Sequence, residues 1–412
     1  MLQHVAKRWG DASDETQHIF GGLHCASDFS RAMRLSLAPG PHLDEMNERM
    51  GIQALHEVDA LLEKAALHQP DHNGGQFRIL FLQWARHAVT QASSCGVYGG
   101  QHPFLDLEVE NAFWEWHAHL SAHITGLNFD IRGKGYAARQ KIFDAHMRFC
   151  REIPQDASLL FRERWRVLRE AGISEDDCIK QQATLPIGML SNTVPTLYWT
   201  VWELFSRPQL LSRVRDELEK QAIVRLDDGG FALDVAALKM ECTLLISMFQ
   251  ETQRVRHIHA AIRKVMQDTM LDDKYFLKAG NYLQMPGQAI HYDNKIWGPS
   301  AGEFDAYRFV NREKRRGGSS FLAWGAPPHL CPARQFAATE ILIMVALLAM
   351  RVDLSPASRT WQNNPALDFN DPITVLNPKK DVAMEVFIRP EWAGQWTLRM
   401  SQSVTRVPLA SG

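Results

Sequence analysis

Residues 321–334 read FLAWGAPPHLCPAR. Gly325, Pro327, Pro328 and Pro332 surround a single thiol, Cys331, and the segment runs straight into a long apolar helix. Proline fixes φ and glycine permits conformations closed to other residues, so this density prescribes a backbone shape around the sulfur. Pro332 is well placed as a first helical residue, which makes Cys331 the expected cap and puts its sulfur at a helix N-terminus. Unpaired N–H groups there stabilise a thiolate, the form that metal ligation requires. The loop equally suits a buried structural cysteine in a loop-to-helix turn, and read alone it leaves both open.

Two segments upstream bear on the choice. Glu251-Thr-Gln-Arg254 places a carboxylate and a guanidinium three residues apart on one helix face. An exposed pair of this kind carries no information. Here the preceding turns hold Leu244, Leu245, Ile246, Met248 and Phe249. That points to burial, and buried charge needs full pairing. Arg308, within EFDAYRF (303–309), supplies the third partner. The segment LPIGMLSNTVPTLYW (185–199) lies in a long helical stretch. Pro195 has no N–H to give the Ser191 carbonyl, so a kink is expected with Asn192 and Thr193 at the defect.

The 412 residues exceed a single small core, so a large domain with a lesser appendage is expected. With 45% hydrophobic and 22% charged residues and a net charge of -2, nothing calls for nucleic acid or an anionic membrane as a bulk partner. The six cysteines are scattered without a CxxC pair, which suits a reducing compartment. The polar N-terminus carries neither a signal-peptide core nor a spanning segment, so the chain as written reads as soluble. There is no HExxH, P-loop or dinucleotide-binding glycine fingerprint, so the chain is not expected to bind its own nucleotide or flavin.

Helical periodicity dominates from residue 43. Helices are expected over 43–62, 77–92, 108–120, 135–152 and 157–170. A long one from 175 to 205 opens on Ser174 with Asp177 three residues on. Further helices are expected from Pro208 and over 234–256. The segments from His257 to Asp272, Tyr275 to Pro286 and Asp381 to Pro390 read as short strands, a small β region in a mainly α protein. His257-Ile-His259 lacks further ligands and reads as structural or pocket-lining.

The ordered set of ExxR, an FxxxRF-like segment and a glycine-bearing loop ending in cysteine resembles the signature of the cytochrome P450 superfamily. Glu251 to Cys331 is 331 − 251 = 80 residues and Arg308 to Cys331 is 331 − 308 = 23, both family-like. The resemblance implies an α-rich prism, with 1–412 as one P450 domain. It implies haem b ligated axially by Cys331, with Glu251, Arg254 and Arg308 locking the loop and His329 and Arg263 at the propionates. Asn192 and Thr193 match the oxygen-binding groove, with Asn192 where most members carry an acid. Asn-Thr followed by Pro resembles fungal natural-product members and the sterol 7α-hydroxylase and prostacyclin synthase branch. Pro327 and Ala333 depart from the glycines usual beside the cysteine, which puts the iron potential in question. Trp84, Arg86 and His87 lack the usual Trp-x-x-x-Arg spacing, so core packing with a charged edge is expected of them.

The function implied is a monooxygenase acting on an apolar small molecule of secondary or sterol-like metabolism. Its electrons would come from NADPH through a separate flavoprotein reductase. Arg312, Lys314, Arg315 and Arg316 read as a solvated loop or, more sharply, as the surface that docks the reductase. Asn192 cannot itself supply a proton, which keeps a reductase-independent isomerase or dehydratase as the alternative. The membrane anchor, proline-rich hinge and first β-hairpin usual in eukaryotic members are not seen, which also leaves a truncated non-catalytic haem protein in play. The expected location is cytoplasmic or peripheral to the endoplasmic reticulum.

Overall fold

The computed structural model describes residues 2–67, 77–126, 130–258, 260–310, 320–326, 329–363, 365–371, 373–400 and 405–410. Pro327, Pro328, His259 and the basic run from Arg312 to Arg316 lie outside the described residues. At the centre stands the helix Arg334–Arg351, buried almost without interruption from Gln335 onward. A helix apolar on every side must be covered on every side. The helices Pro41–Leu67, Phe81–Tyr98 and Thr193–Phe205 all pack against it.

Small sheets flank this helical body. Arg78–Leu80, Ala383–Ile388 and Val352–Pro356 form one antiparallel sheet with Ala383–Ile388 in the middle. In a second, Phe231–Asp234 pairs parallel with Trp396–Arg399 and antiparallel with Ile223–Arg225. Two hairpin-like pairs follow, Ala260–Lys264 with Tyr282–Pro286 and Thr269–Leu271 with Tyr275–Leu277. The mainly α architecture with a small β region is the one expected.

Several boundaries differ from expectation. The stretch 175–205 is three helices, Glu175–Ala183, Leu185–Leu190 and Thr193–Phe205. Pro186 sits at the start of the second and Pro195 just inside the third, so each break falls where a proline withholds its N–H. Ser174 caps the first helix by accepting the Asp177 N–H. Residues 78–80 are strand rather than helix, and the helix opens at Phe81. Its first N–H groups, Leu82 and Gln83, donate to the Asp381 carboxylate at 2.8 and 2.9 Å. The expected helix 234–256 is likewise two, Val235–Met240 and Thr243–Arg256. Glu217 caps the second through Leu244 and Leu245 at 2.8 and 3.0 Å. Ahead of residue 43, where no helix was read, lie Leu2–Arg8, Asp14–Gly21 and Leu23–Ser36.

Candidate functional site

The helix Thr243–Arg256 carries the charged anchor. Glu251 and Arg254 are fully buried, and Glu251 accepts from Arg254 Nε and Nη2 at 2.8 and 2.7 Å. Arg308 Nε reaches both oxygens of the same carboxylate at 3.0 Å, and the Asp305 N–H adds a further donor at 2.9 Å. Both guanidiniums then spread over backbone carbonyls. Arg254 takes those of His291, Ala301 and Glu303, while Arg308 takes those of Trp297 and Ser300. One carboxylate and two forks thereby tie a helix to the irregular segment 291–308, with the buried charge fully hydrogen-bonded.

His291 passes this anchoring on to the cysteine loop, a role that no motif in the sequence signals. Its Nδ1 donates to the Arg254 carbonyl at 3.0 Å, and its Nε2 accepts the Leu322 N–H at 2.8 Å. One donor and one acceptor define a neutral ring, and burial lowers its pKa to about 4.

The loop then turns back on itself. Cys331 N–H donates to the Trp324 carbonyl at 2.7 Å, closing the turn around Gly325. Gly325 has φ +88°, and a Cβ there would lie 2.9 Å from the His329 carbonyl, so only glycine fits. Cys331 is not the helix cap: the helix begins at Arg334 with Ala333 at the cap position. A short turn intervenes, yet the thiol still meets the Ala333 N–H. Burial raises the Cys331 pKa, against which that N–H and the Arg334 charge pull it down. A bound cation would complete the shift to thiolate.

Across from the thiol lies the broken helix. One cavity of about 290 Å³ is lined by Cys331, Trp324 and His329 on one side and by Met189, Asn192 and Thr193 on the other. Phe336, Ile341, Val97 and Leu160 give it apolar walls. Thr193 Oγ1 donates to the Met189 carbonyl at 2.6 Å. The Asn192 side-chain oxygen accepts the N–H groups of Thr374 and Val375 at 2.9 and 3.3 Å, tying the break to a distant loop. His329 is exposed at the rim. Arg263, half-buried on its strand, donates to the Ala326 carbonyl at 3.3 Å and reaches the loop without lining the cavity. Arg86 lies over Trp114, Trp84 stacks on Phe81, and His87 bridges Glu57 and Glu110, all apart from the cavity.

These residues fit a haem. A flat apolar macrocycle needs apolar walls, its metal needs a soft ligand, and its carboxylates need donors at an edge. The cavity supplies the walls and the Cys331 sulfur. The Trp324 indole N–H is buried without a partner among the described residues, and His329 and Arg263 flank the same loop.

Residues 113–383 match the family model for cytochrome P450. The chain is 30% identical to the cytochrome P450 monooxygenase nodJ of Hypoxylon pulicicidum, over 92% of this chain and 78% of that one. It is 25% identical to a cytochrome P450 monooxygenase of Gibberella zeae, over 76% of this chain and 64% of the relative. The structure of the retinoic acid bound cyanobacterial CYP120A1 superposes with a TM-score of 0.68 at 15% identity, covering 88% of this chain and 79% of that one.

Proposed function

The chain belongs to the cytochrome P450 family, and from that footing we propose a haem-thiolate monooxygenase that inserts one oxygen atom from dioxygen into an apolar small molecule of secondary metabolism. The observation that carries this reading is that Cys331 and the Asn192–Thr193 break line one cavity with largely apolar walls. Haem held through Cys331 would supply redox chemistry at that centre. Electrons come from NADPH by way of a separate flavoprotein reductase. Trp324, His329 and Arg263 would hold the cofactor's carboxylates. The triad of Glu251, Arg254 and Arg308, with His291, keeps the thiol loop in place.

Proton delivery falls to Thr193 and to water rather than to a neighbouring acid. The Asn192 carbonyl oxygen is committed to Thr374 and Val375, which leaves its amide N–H groups as what it offers the cavity. Those donors order water but yield no proton near neutral pH. The same observation favours one second reading, an isomerase or dehydratase that works on a pre-oxidised substrate without a reductase. Among the described residues no helix is long and apolar enough to cross a membrane.

The test has two parts. The reduced, carbon-monoxide-bound protein should show the red-shifted Soret band of thiolate-ligated haem, and Cys331→Ser should abolish it. Product formation should require NADPH, reductase and dioxygen together. Turnover without them would move the protein to the second reading, and absence of haem would remove both.

A further inference from the structure

A second cavity, of about 350 Å³, adjoins the first and shares Gly188, Asn192 and Thr374 with it. Its walls include Val5, Trp9, Phe20, Phe29 and Ile187. A Cβ built on Gly188 would meet nothing within 4 Å, and this residue shared by both walls puts no side chain between the two cavities. Into this largely apolar space is set a charge.

Arg164, on the helix Leu159–Glu170, lines the cavity and is only 5% exposed. Three arginines are buried among the described residues. Arg254 pairs with Glu251 and Arg351 with Asp59. Arg164 pairs with no carboxylate among the described residues. Its Nε donates to Gln182 Oε1 at 2.9 Å and its Nη2 to the Gln181 carbonyl at 3.0 Å. Among the described residues its Nη1 finds only the Met33 sulfur at 3.6 Å, and its Cζ lies over the Phe29 ring, 4.7 Å from the ring centroid. The neutral acceptors fix the orientation of the fork without cancelling its charge, and a buried charge without a counter-charge is costly. Burial accordingly lowers its pKa to about 10. A guanidinium with a poorly used edge is built for a bidentate anion.

We propose that Arg164 is the anion anchor of the substrate site, so that the substrate is an amphiphilic carboxylic acid bound with its carboxylate on Arg164 and its apolar body running past Gly188 toward Cys331. This rests on the monooxygenase reading above for the reacting end, and it names the substrate class. The Gln181 carbonyl that Arg164 grips lies eleven residues before Asn192. At 1.5 Å per helical residue the anchor and the break are roughly 16 Å apart along that interrupted helix. The carboxylate is thus remote from the oxidised carbon, and its binding energy positions that carbon.

The test uses paired probes, abietic acid with methyl abietate and dodecanoic acid with methyl dodecanoate, titrated against the full chain at pH 7.5. Equilibrium dialysis measures the binding of each probe. Each acid should bind at least about tenfold more tightly than its ester. Arg164→Gln should erase that ratio by weakening the acid alone, and Arg164→Lys should keep part of it. Equal binding of acid and ester by the parent protein would overturn the proposal, and this comparison needs no variant to fold. A preference that survives in Arg164→Gln would overturn it too, and loss of haem with the preference intact would place Arg164 on a propionate instead. Carbon-monoxide spectra on the same samples separate the two readings. Acid-over-ester selectivity in a protein lacking the thiolate band would end the monooxygenase reading and leave the anion site standing.

Discussion

Arg254→Lys separates charge from geometry at the anchor beneath the cysteine loop. All five N–H groups of Arg254 are used, two on Glu251 and one each on the carbonyls of His291, Ala301 and Glu303. Lysine keeps the charge but brings three donors, so at least two of the five hydrogen bonds are lost, while Glu251 keeps those from Arg308 and Asp305. The site is fully buried, and water cannot replace them. At about 0.5–1.5 kcal/mol for each hydrogen bond lost, the expected loss is about 1–3 kcal/mol. Urea unfolding followed by far-UV circular dichroism gives the difference in midpoint at constant slope. Arg308→Lys is the internal control. Its side chain is 11% exposed where that of Arg254 is fully buried, so it should cost less than Arg254→Lys. An Arg254→Lys protein within about 1 kcal/mol of the parent would refute the reasoning, because charge alone would then account for the anchor.

Three further outcomes follow from the same geometry. His291 is held neutral, with a folded pKa of about 4 against 6.5 for the free group, so the unfolded chain binds more protons between those values. Its contribution to stability is therefore full above pH 6.5 and is lost as pH drops toward 4, by up to about 3 kcal/mol; urea midpoints from pH 7 to 4.5 should show the slope, and His291→Gln should lessen it, the buried His102 and His146 supplying more in the same direction. Glu340, fully buried against the Ser93 hydroxyl at 2.8 and 2.9 Å, has a pKa raised by burial to about 8. Its contribution is full below pH 4.5 and lost as pH rises toward 8, so Glu340→Gln should be no less stable than the parent at pH 8 and should remove that decline. Asn192→Asp keeps an acceptor for Thr374 and Val375 and should leave substrate affinity within about threefold, whereas Asn192→Ala frees that loop and should weaken binding by about tenfold, a loss of about 1.4 kcal/mol by the binding relation; equal affinities for the two variants in an equilibrium titration would dismiss the tie.

Much of the site could be read along the chain because it depends on short spacings. Glu251 and Arg254 share a face since they are three residues apart, and the run of apolar residues before them announced burial. Pro195 marked its own break because a missing N–H acts on the carbonyl four residues back. Pro186, which opens the second break, is legible by the same rule once the boundary is known. Cys331 stood out through the glycine and prolines around it. What misled was local reasoning about ends. Pro332 suggested a cap at Cys331, but the helix starts at Arg334, and residues 78–80 joined a sheet instead of the helix they precede.

The sequence by itself determined the kinds of groups present and their local order: a thiol in a stiff turn, a charged pair on a buried face and a helix broken beside Asn192 and Thr193. Only the tertiary structure decided who meets whom. Asp381 caps a helix some 300 residues earlier, Glu217 caps the helix of the triad, His291 joins that triad to the thiol loop, and Arg164 is left in a largely apolar cavity with no carboxylate among the described residues. The reason is that covalent geometry fixes neighbours within a turn or two. A buried polar group takes whatever partner the packed fold brings within 3 Å, and its cost when none arrives is set by the water that packing has excluded.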